Sequence, residues 1–189
     1  MPDRDVKTIK DLIFYQYAKI IVKSAMKTGD NETAKKNYYG LIKNKFRELQ
    51  SGKISWSDII REDLQFIDTE KKCIYCGSTE NITKDHIIPK SICINDRCSK
   101  CDKIQGIHNI IWACKNCNSK KGTKGLYHLY HELYPDKKKS DLLPILLEKK
   151  YLKLMYNCHK CAGTLMLNIF RSEEHTSELH SRFVISYAF

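Results

Sequence analysis

The middle of the chain carries three groups of reactive side chains in a fixed order: Cys73-Ile-Tyr-Cys76, then Asp85-His86-Ile-Ile-Pro89, then Cys114-Lys-Asn-Cys117-Asn118. Two Cys-x-x-Cys pairs at this separation supply four thiolates, enough to close one tetrahedral zinc site. Closing that site fixes the geometry of everything between the two pairs. The residues so enclosed include an imidazole, His86, which is a candidate general base. A neutral imidazole near its ordinary pKa of about 6.5 accepts a proton from water at neutral pH. Asp85 and Asn118 add a carboxylate and an amide oxygen, candidate ligands for a second, hard cation. Adjacent residues on a strand point to opposite faces, so Asp85 and His86 can serve a cation and a water separately.

These motifs resemble the HNH nucleases of the ββα-metal (His-Me finger) superfamily. The resemblance spans about Cys73 to Gly122 and rests on Asp85-His86-x-x-Pro89, Asn109 and Cys114-x-x-Cys117-Asn118-x-x-Lys121-Gly122. It implies a small unit of one β-hairpin and one helix clasping a divalent metal, with His86 as general base. It further implies that Asp85 and Asn118 hold a catalytic Mg2+ or Mn2+, and that Asn109 braces the loop presenting His86. The last motif position is Asn118 rather than His, so water or phosphate must complete the ligand set. The interval between His86 and Asn109 is longer than the minimal motif needs and carries Cys93, Cys98 and Cys101. Phosphodiester hydrolysis needs an activated water, charge stabilisation at phosphorus and help for the departing oxygen. A cation held by few protein groups and keeping several waters suits magnesium in that role. Lys120 and Lys121, just past Asn118, are expected near the phosphate as electrostatic support, or as an ordinary solvated helix end.

The elements that must position these groups are mostly helical. Ile9, Leu12, Ile13, Tyr17, Ile20 and Ile21 fall at helical spacing between Val6 and Met26. A basic helix is expected from about Glu32 to Leu49, stopped by Ser51-Gly52. Its Tyr38, Tyr39 and Phe46 are assigned to a core. Its lysines (Lys35, Lys36, Lys43 and Lys45), with Lys53 beyond, are either a DNA-contacting face or a solvated one. Ser55-Trp-Ser-Asp58 marks a third helix start. Leu126 to Tyr134 reads as a helix ended by Pro135, with His128 and His131 as surface or packing residues. Ile145 to Tyr156 reads as a final helix ending at a fourth pair, Cys158-His-Lys-Cys161. By elimination, Cys98 and Cys101 with Cys158 and Cys161 form a possible second zinc site, and Cys93 is left as a buried thiol. The fold class is therefore α+β, a zinc-stapled ββα-metal core embedded in a mostly α-helical chain. The divisions are a helical region over 1–70, the core over 71–125, a helical extension over 126–170 and a tail over 171–189.

The 189 residues carry a formal charge of +11, and the pI is about 9.2. So basic a chain points to a polyanionic partner, with nucleic acid the usual one. Eight of the nine cysteines fall in Cys-x-x-Cys pairs, which in a chain without a recognisable leader reads as zinc rather than disulfides. No apolar run is long enough to span a membrane, so the expectation is a cytoplasmic protein with no membrane partner. The tail is similar to a conceptual translation of a sequencing adapter. Arg171-Ser-Glu-Glu-His-Thr-Ser-Glu-Leu179 and Ile185-Ser-Tyr-Ala188 match its two halves in frame, with Arg182-Phe-Val184 where an index would lie. Residues 171–189 are accordingly set aside from the fold, with the native C-terminus expected to be missing.

Two functions of different class fit. The first is a metal-dependent DNA endonuclease, restriction-like or associated with a mobile element. The second is a zinc-stapled nucleic-acid-binding module without catalysis, which accounts for the cysteines and the charge but leaves Asp85, His86 and Asn118 unexplained. RNA as substrate would use the same site.

Overall fold

The computed structural model describes residues 4–27, 37–55, 63, 70–90, 107–137 and 143–169. Helix α1 (Ile9–Lys27) and helix α2 (Tyr38–Gln50) open the chain. Strand β1 (Ile82–His86) and strand β2 (Ile110–Cys114) form a two-stranded antiparallel sheet. Helix α3 (Lys115–Lys121) leaves β2 directly, followed by α4 (Leu126–Leu133) and α5 (Ile145–Cys161). Among the described residues, no helix is long and apolar enough to cross a membrane.

Helix α1 packs against both α2 and α5. It therefore buries residues on more than one face, including Leu12, Ile13, Phe14, Tyr15 and Ala18. Phe14 stacks on Tyr156 of α5 at 5.7 Å between ring centres, and Tyr15 meets Phe46 of α2 edge-on at 5.6 Å. The start of α1 is capped reciprocally: Asp11 N–H donates to Thr8 Oγ1 (3.1 Å), and Thr8 N–H donates to Asp11 Oδ2 (3.0 Å). Two further first-turn amides, those of Ile9 and Lys10, donate to the carbonyls of Leu167 and Leu165 (3.1 and 2.9 Å). The segment after α5 thus returns to satisfy donors that a helix start leaves unpaired.

In α2, Ile42, Phe46 and Leu49 are buried, and Gly52, at φ +73°, takes the left-handed conformation that ends it. Tyr39 departs from the core assignment: it is 79 % exposed, because the buried stripe of α2 runs through Ile42, Phe46 and Leu49. Lys43 and Lys45 engage Asp5 (3.6 Å) and Glu48 (2.7 Å). Lys35 and Lys36 lie outside the described residues, as do Ser57 and Asp58 of the third expected helix start.

Helix α5 is longer than its sequence pattern predicts. It continues through Cys158 and Cys161 because nothing breaks it before Gly163, which adopts φ +70°. Thr164 N–H then closes the end on His159 O (2.9 Å). The same helix is tied to the sheet by Lys150. Its buried ammonium donates to Ile110 O (3.0 Å) and pairs with Asp63 Oδ1 (2.6 Å). Asp63 also engages Nδ1 of His108. Of α4's histidines, His128 is exposed and bonded to Glu132 (2.9 Å), and His131 is exposed, in line with a surface role.

Candidate functional site

The register of the hairpin assembles the site. Ile82 pairs with Cys114, Asp85 with Ile111 and His86 with Ile110. This pairing carries the second cysteine pair back beside the first. Cys73 and Cys76 sit in a tight turn in which Gly77 N–H donates to Cys73 O (2.8 Å), and Gly77 itself adopts φ +78°. Cys114 is the residue preceding α3, and its Sγ accepts from Cys117 N–H (3.4 Å). The Sγ atoms of Cys73, Cys76, Cys114 and Cys117 all lie within 4.8 Å of one another. Cys76 and Cys114 are 3.8 Å apart, close to the edge of about 3.8 Å that a tetrahedron with Zn–S near 2.3 Å would have.

The chemistry of the four thiols fits the same metal. The Cys117 amide lowers the pKa of Cys114 to about 7, whereas burial pushes the Cys117 thiol well up. Four neighbouring sulfurs cannot all ionise beside one another unaided. A divalent cation removes the conflict by taking each as thiolate. The cluster is therefore suited to structural zinc.

Asp85 and His86 occupy successive positions on β1, Asp85 buried and His86 half-buried. Three donors converge on the Asp85 carboxylate. Tyr75 Oη donates to Oδ2 (2.5 Å), His86 N–H donates to Oδ1 (2.7 Å), and the Lys121 ammonium stands 3.2 Å from Oδ1. The His86 imidazole is held below its ordinary pKa, first by partial burial and then by Lys90, with Asp85 opposing and Lys121 adding to the depression. Asn118, in α3, donates its amide nitrogen to Thr83 Oγ1 and Lys84 O (both 3.2 Å). That leaves the amide oxygen as the atom Asn118 can offer a cation. Asn118 is thus tied to the strand that carries Asp85, and carboxylate and amide oxygens are the donor types that a hard cation takes.

Asn109 is wholly buried and pairs with the backbone of Ile88 on both sides. Its Oδ1 accepts from Ile88 N–H (2.8 Å), and its Nδ2 donates to Ile88 O (2.7 Å). Its own carbonyl accepts from Ile87 N–H (2.9 Å). The chain leaving His86 is therefore fixed at its first two residues.

The two lysines after Asn118 part company. Lys120 is exposed, while Lys121 is 1 % exposed, with its ammonium on Asp85 and on the His86 carbonyl. Lys121 follows Cys117 by four residues, so the face of α3 that delivers Cys117 to the thiol cluster also lays Lys121 against β1. That spacing was available in the sequence, although the charge suggested a solvent-facing role. Tyr75 carried no comparable signal, because its partner is ten residues away along the chain. Cys158 is buried and Cys161 exposed near the end of α5. Cys93, Cys98 and Cys101 lie outside the described residues.

Residues 73–124 match the family model described as HNH endonuclease. Searches of curated proteins and of solved structures return no match to the chain.

Proposed function

Because residues 73–124 match the HNH endonuclease family model, we propose that this chain is a metal-dependent endonuclease hydrolysing DNA phosphodiester bonds. The observation that carries the reading is the convergence of Asp85, His86 and Asn118 on one hairpin and the helix that leaves it, behind a four-thiol zinc staple.

In this reading the half-buried His86 imidazole takes the proton from the attacking water. Its depressed pKa keeps it neutral, and so able to accept, at physiological pH. Asp85 and the Asn118 amide oxygen would hold the divalent cation. When bound, Mg2+ or Mn2+ supplies Lewis-acid stabilisation of the charge that develops at phosphorus and on the departing oxygen. Asn109 holds the backbone after His86, and so the angle at which the imidazole is presented. Exposed Lys120 contacts a backbone phosphate, and Lys121 acts from inside the domain. Structural zinc sits on Cys73, Cys76, Cys114 and Cys117. A second zinc on Cys98, Cys101, Cys158 and Cys161 would pin the end of α5 to the core, and two equivalents of bound zinc per chain, rather than one, would report it. The net charge of +11 is suited to a nucleic-acid partner, and RNA would meet the same groups.

One observation favours the second reading, a nucleic-acid-binding module without catalysis: the Asp85 carboxylate is already engaged by Tyr75 and Lys121. Plasmid cleavage by the full chain in Mg2+ or Mn2+, beside His86→Ala, decides between the two. Nicking or linearisation by the parent alone supports the nuclease, whereas DNA binding without cleavage by either supports the module.

A further inference from the structure

The ion pair between Lys121 and Asp85 has a consequence for how a cation enters the site. A buried carboxylate without a partner is strongly unfavourable, and removing one member of such a pair leaves the other uncompensated. Here the compensation is internal: one carboxylate faces one ammonium at 3.2 Å, and both side chains are almost fully buried. The ammonium also donates to the His86 carbonyl, so it holds both residues of the Asp85-His86 pair. Among the described residues, the grouping of three or more metal-ligating side chains is the four-cysteine cluster, and it does not include Asp85. The groups that meet the Asp85 carboxylate are donors: the Tyr75 hydroxyl, the His86 amide and the Lys121 ammonium.

We propose that Lys121 is the resident cation of Asp85, so that a divalent metal ion joins Asp85 and Asn118 only together with a nucleic-acid phosphate. The inference rests on the reading of Asp85 and Asn118 as cation ligands. Its logic is charge balance. Carboxylate and ammonium together are neutral, and a divalent ion entering alone meets the full repulsion of Lys121. A phosphodiester entering with it brings the missing negative charge, screens the ammonium and donates oxygens that a hard cation favours. Lys121 is on this account a positioning residue. It keeps the carboxylate aligned before substrate arrives and makes the assembled site conditional on substrate.

The test is Mn2+ binding by the full, zinc-loaded chain, read from the electron paramagnetic resonance signal of free Mn2+. A His86→Ala background prevents turnover. Mn2+ does not displace zinc from four thiolates, so the measurement reports hard-donor sites. Lys121→Gln is expected to bind Mn2+ about tenfold or more tightly than its parent, the order expected when one unit charge a few ångströms away is removed in a partly polar interior. Lys121→Arg, which keeps the charge, is expected to show no gain. Adding a short DNA duplex should tighten binding by the parent and narrow its difference from Lys121→Gln. A lysine serving only packing gives the opposite sign, because its loss would loosen the site and weaken binding. If Lys121→Gln does not fold, Lys121→Met is read in its place. No gain in either variant, or no effect of duplex on the parent, overturns the proposal. In each case Asp85→Asn must abolish the binding. If it does not, Asp85 is not a ligand, and the metal reading under Proposed function fails as well.

Discussion

The hydroxyl of Tyr75 lies 2.5 Å from Oδ2 of Asp85. Tyr75 stands between the two cysteines of the first pair, so one side chain joins the thiol cluster to the carboxylate of the hairpin. Burial first, and then the Asp85 charge, raises the pKa of this phenol well above its usual value. It therefore stays protonated and remains a donor. Its ring is fixed edge-on against Tyr130 at 5.6 Å, while Tyr130 and Tyr134 donate their hydroxyls to the carbonyls of Ile74 and Tyr75 (2.8 and 2.6 Å). Helix α4 thus braces the turn that aims Tyr75.

Tyr75→Phe isolates that hydroxyl. The ring and its packing remain, so zinc content and the unfolding midpoint should change little. The rate of cleavage at saturating Mn2+ should fall about 10–100-fold, the range typical of losing a group that orients a metal ligand. An unchanged rate in this variant would mean that Asp85 does not depend on the hydroxyl.

Zinc removal should act on folding rather than on chemistry alone. Cys73 and Cys114 lie at the two ends of the stapled segment, and among the described residues the sheet between the pairs has two strands. Two strands are marginal without further support, and structural zinc binding is coupled to folding. Cys73→Ser or Cys114→Ser should lose zinc from this site and the protection of the β1–β2 amides from hydrogen exchange. Retention of that protection in the zinc-free variant would contradict a structural role for the metal.

With His86 proposed as the general base, the sign of the pH dependence follows from its depressed pKa. A general base works in its neutral form, and a lowered pKa extends that form to more acidic solution. The acid limb of the kcat/KM profile should therefore fall below the ordinary histidine value of about 6.5. A divalent cation nearby moves it further in the same direction. His86→Ala should abolish cleavage and leave zinc content unchanged. An acid limb above the ordinary value would argue against His86 as the base.

Asn109→Ala removes a buried side chain that pairs with both polar groups of the Ile88 backbone. Each orphaned buried group costs about 1–3 kcal/mol, so with two of them the variant should lose about 2–6 kcal/mol in urea unfolding. A smaller loss would show that water reaches Ile88.

The order of the two cysteine pairs anticipated the thiol cluster, and the hairpin-and-helix unit is what the resemblance to the HNH nucleases implied. The reason is local. Each motif lies within a few residues of a turn, strand or helix start whose geometry its own sequence specifies. Helices α1, α4 and α5 were likewise legible from apolar spacing, although the end of α5 was not, because the stop is Gly163 rather than the cysteine pair. What the sequence could not determine were the contacts made across long separations. The Tyr75 bond to Asp85, the burial of Lys121 against β1, and the reach of Lys150 from α5 to Ile110 all depend on how finished elements pack. A lysine or tyrosine read alone is ordinarily a solvent-facing or core residue. Only the tertiary structure, by excluding water from around Asp85, turned Tyr75 and Lys121 into its partners.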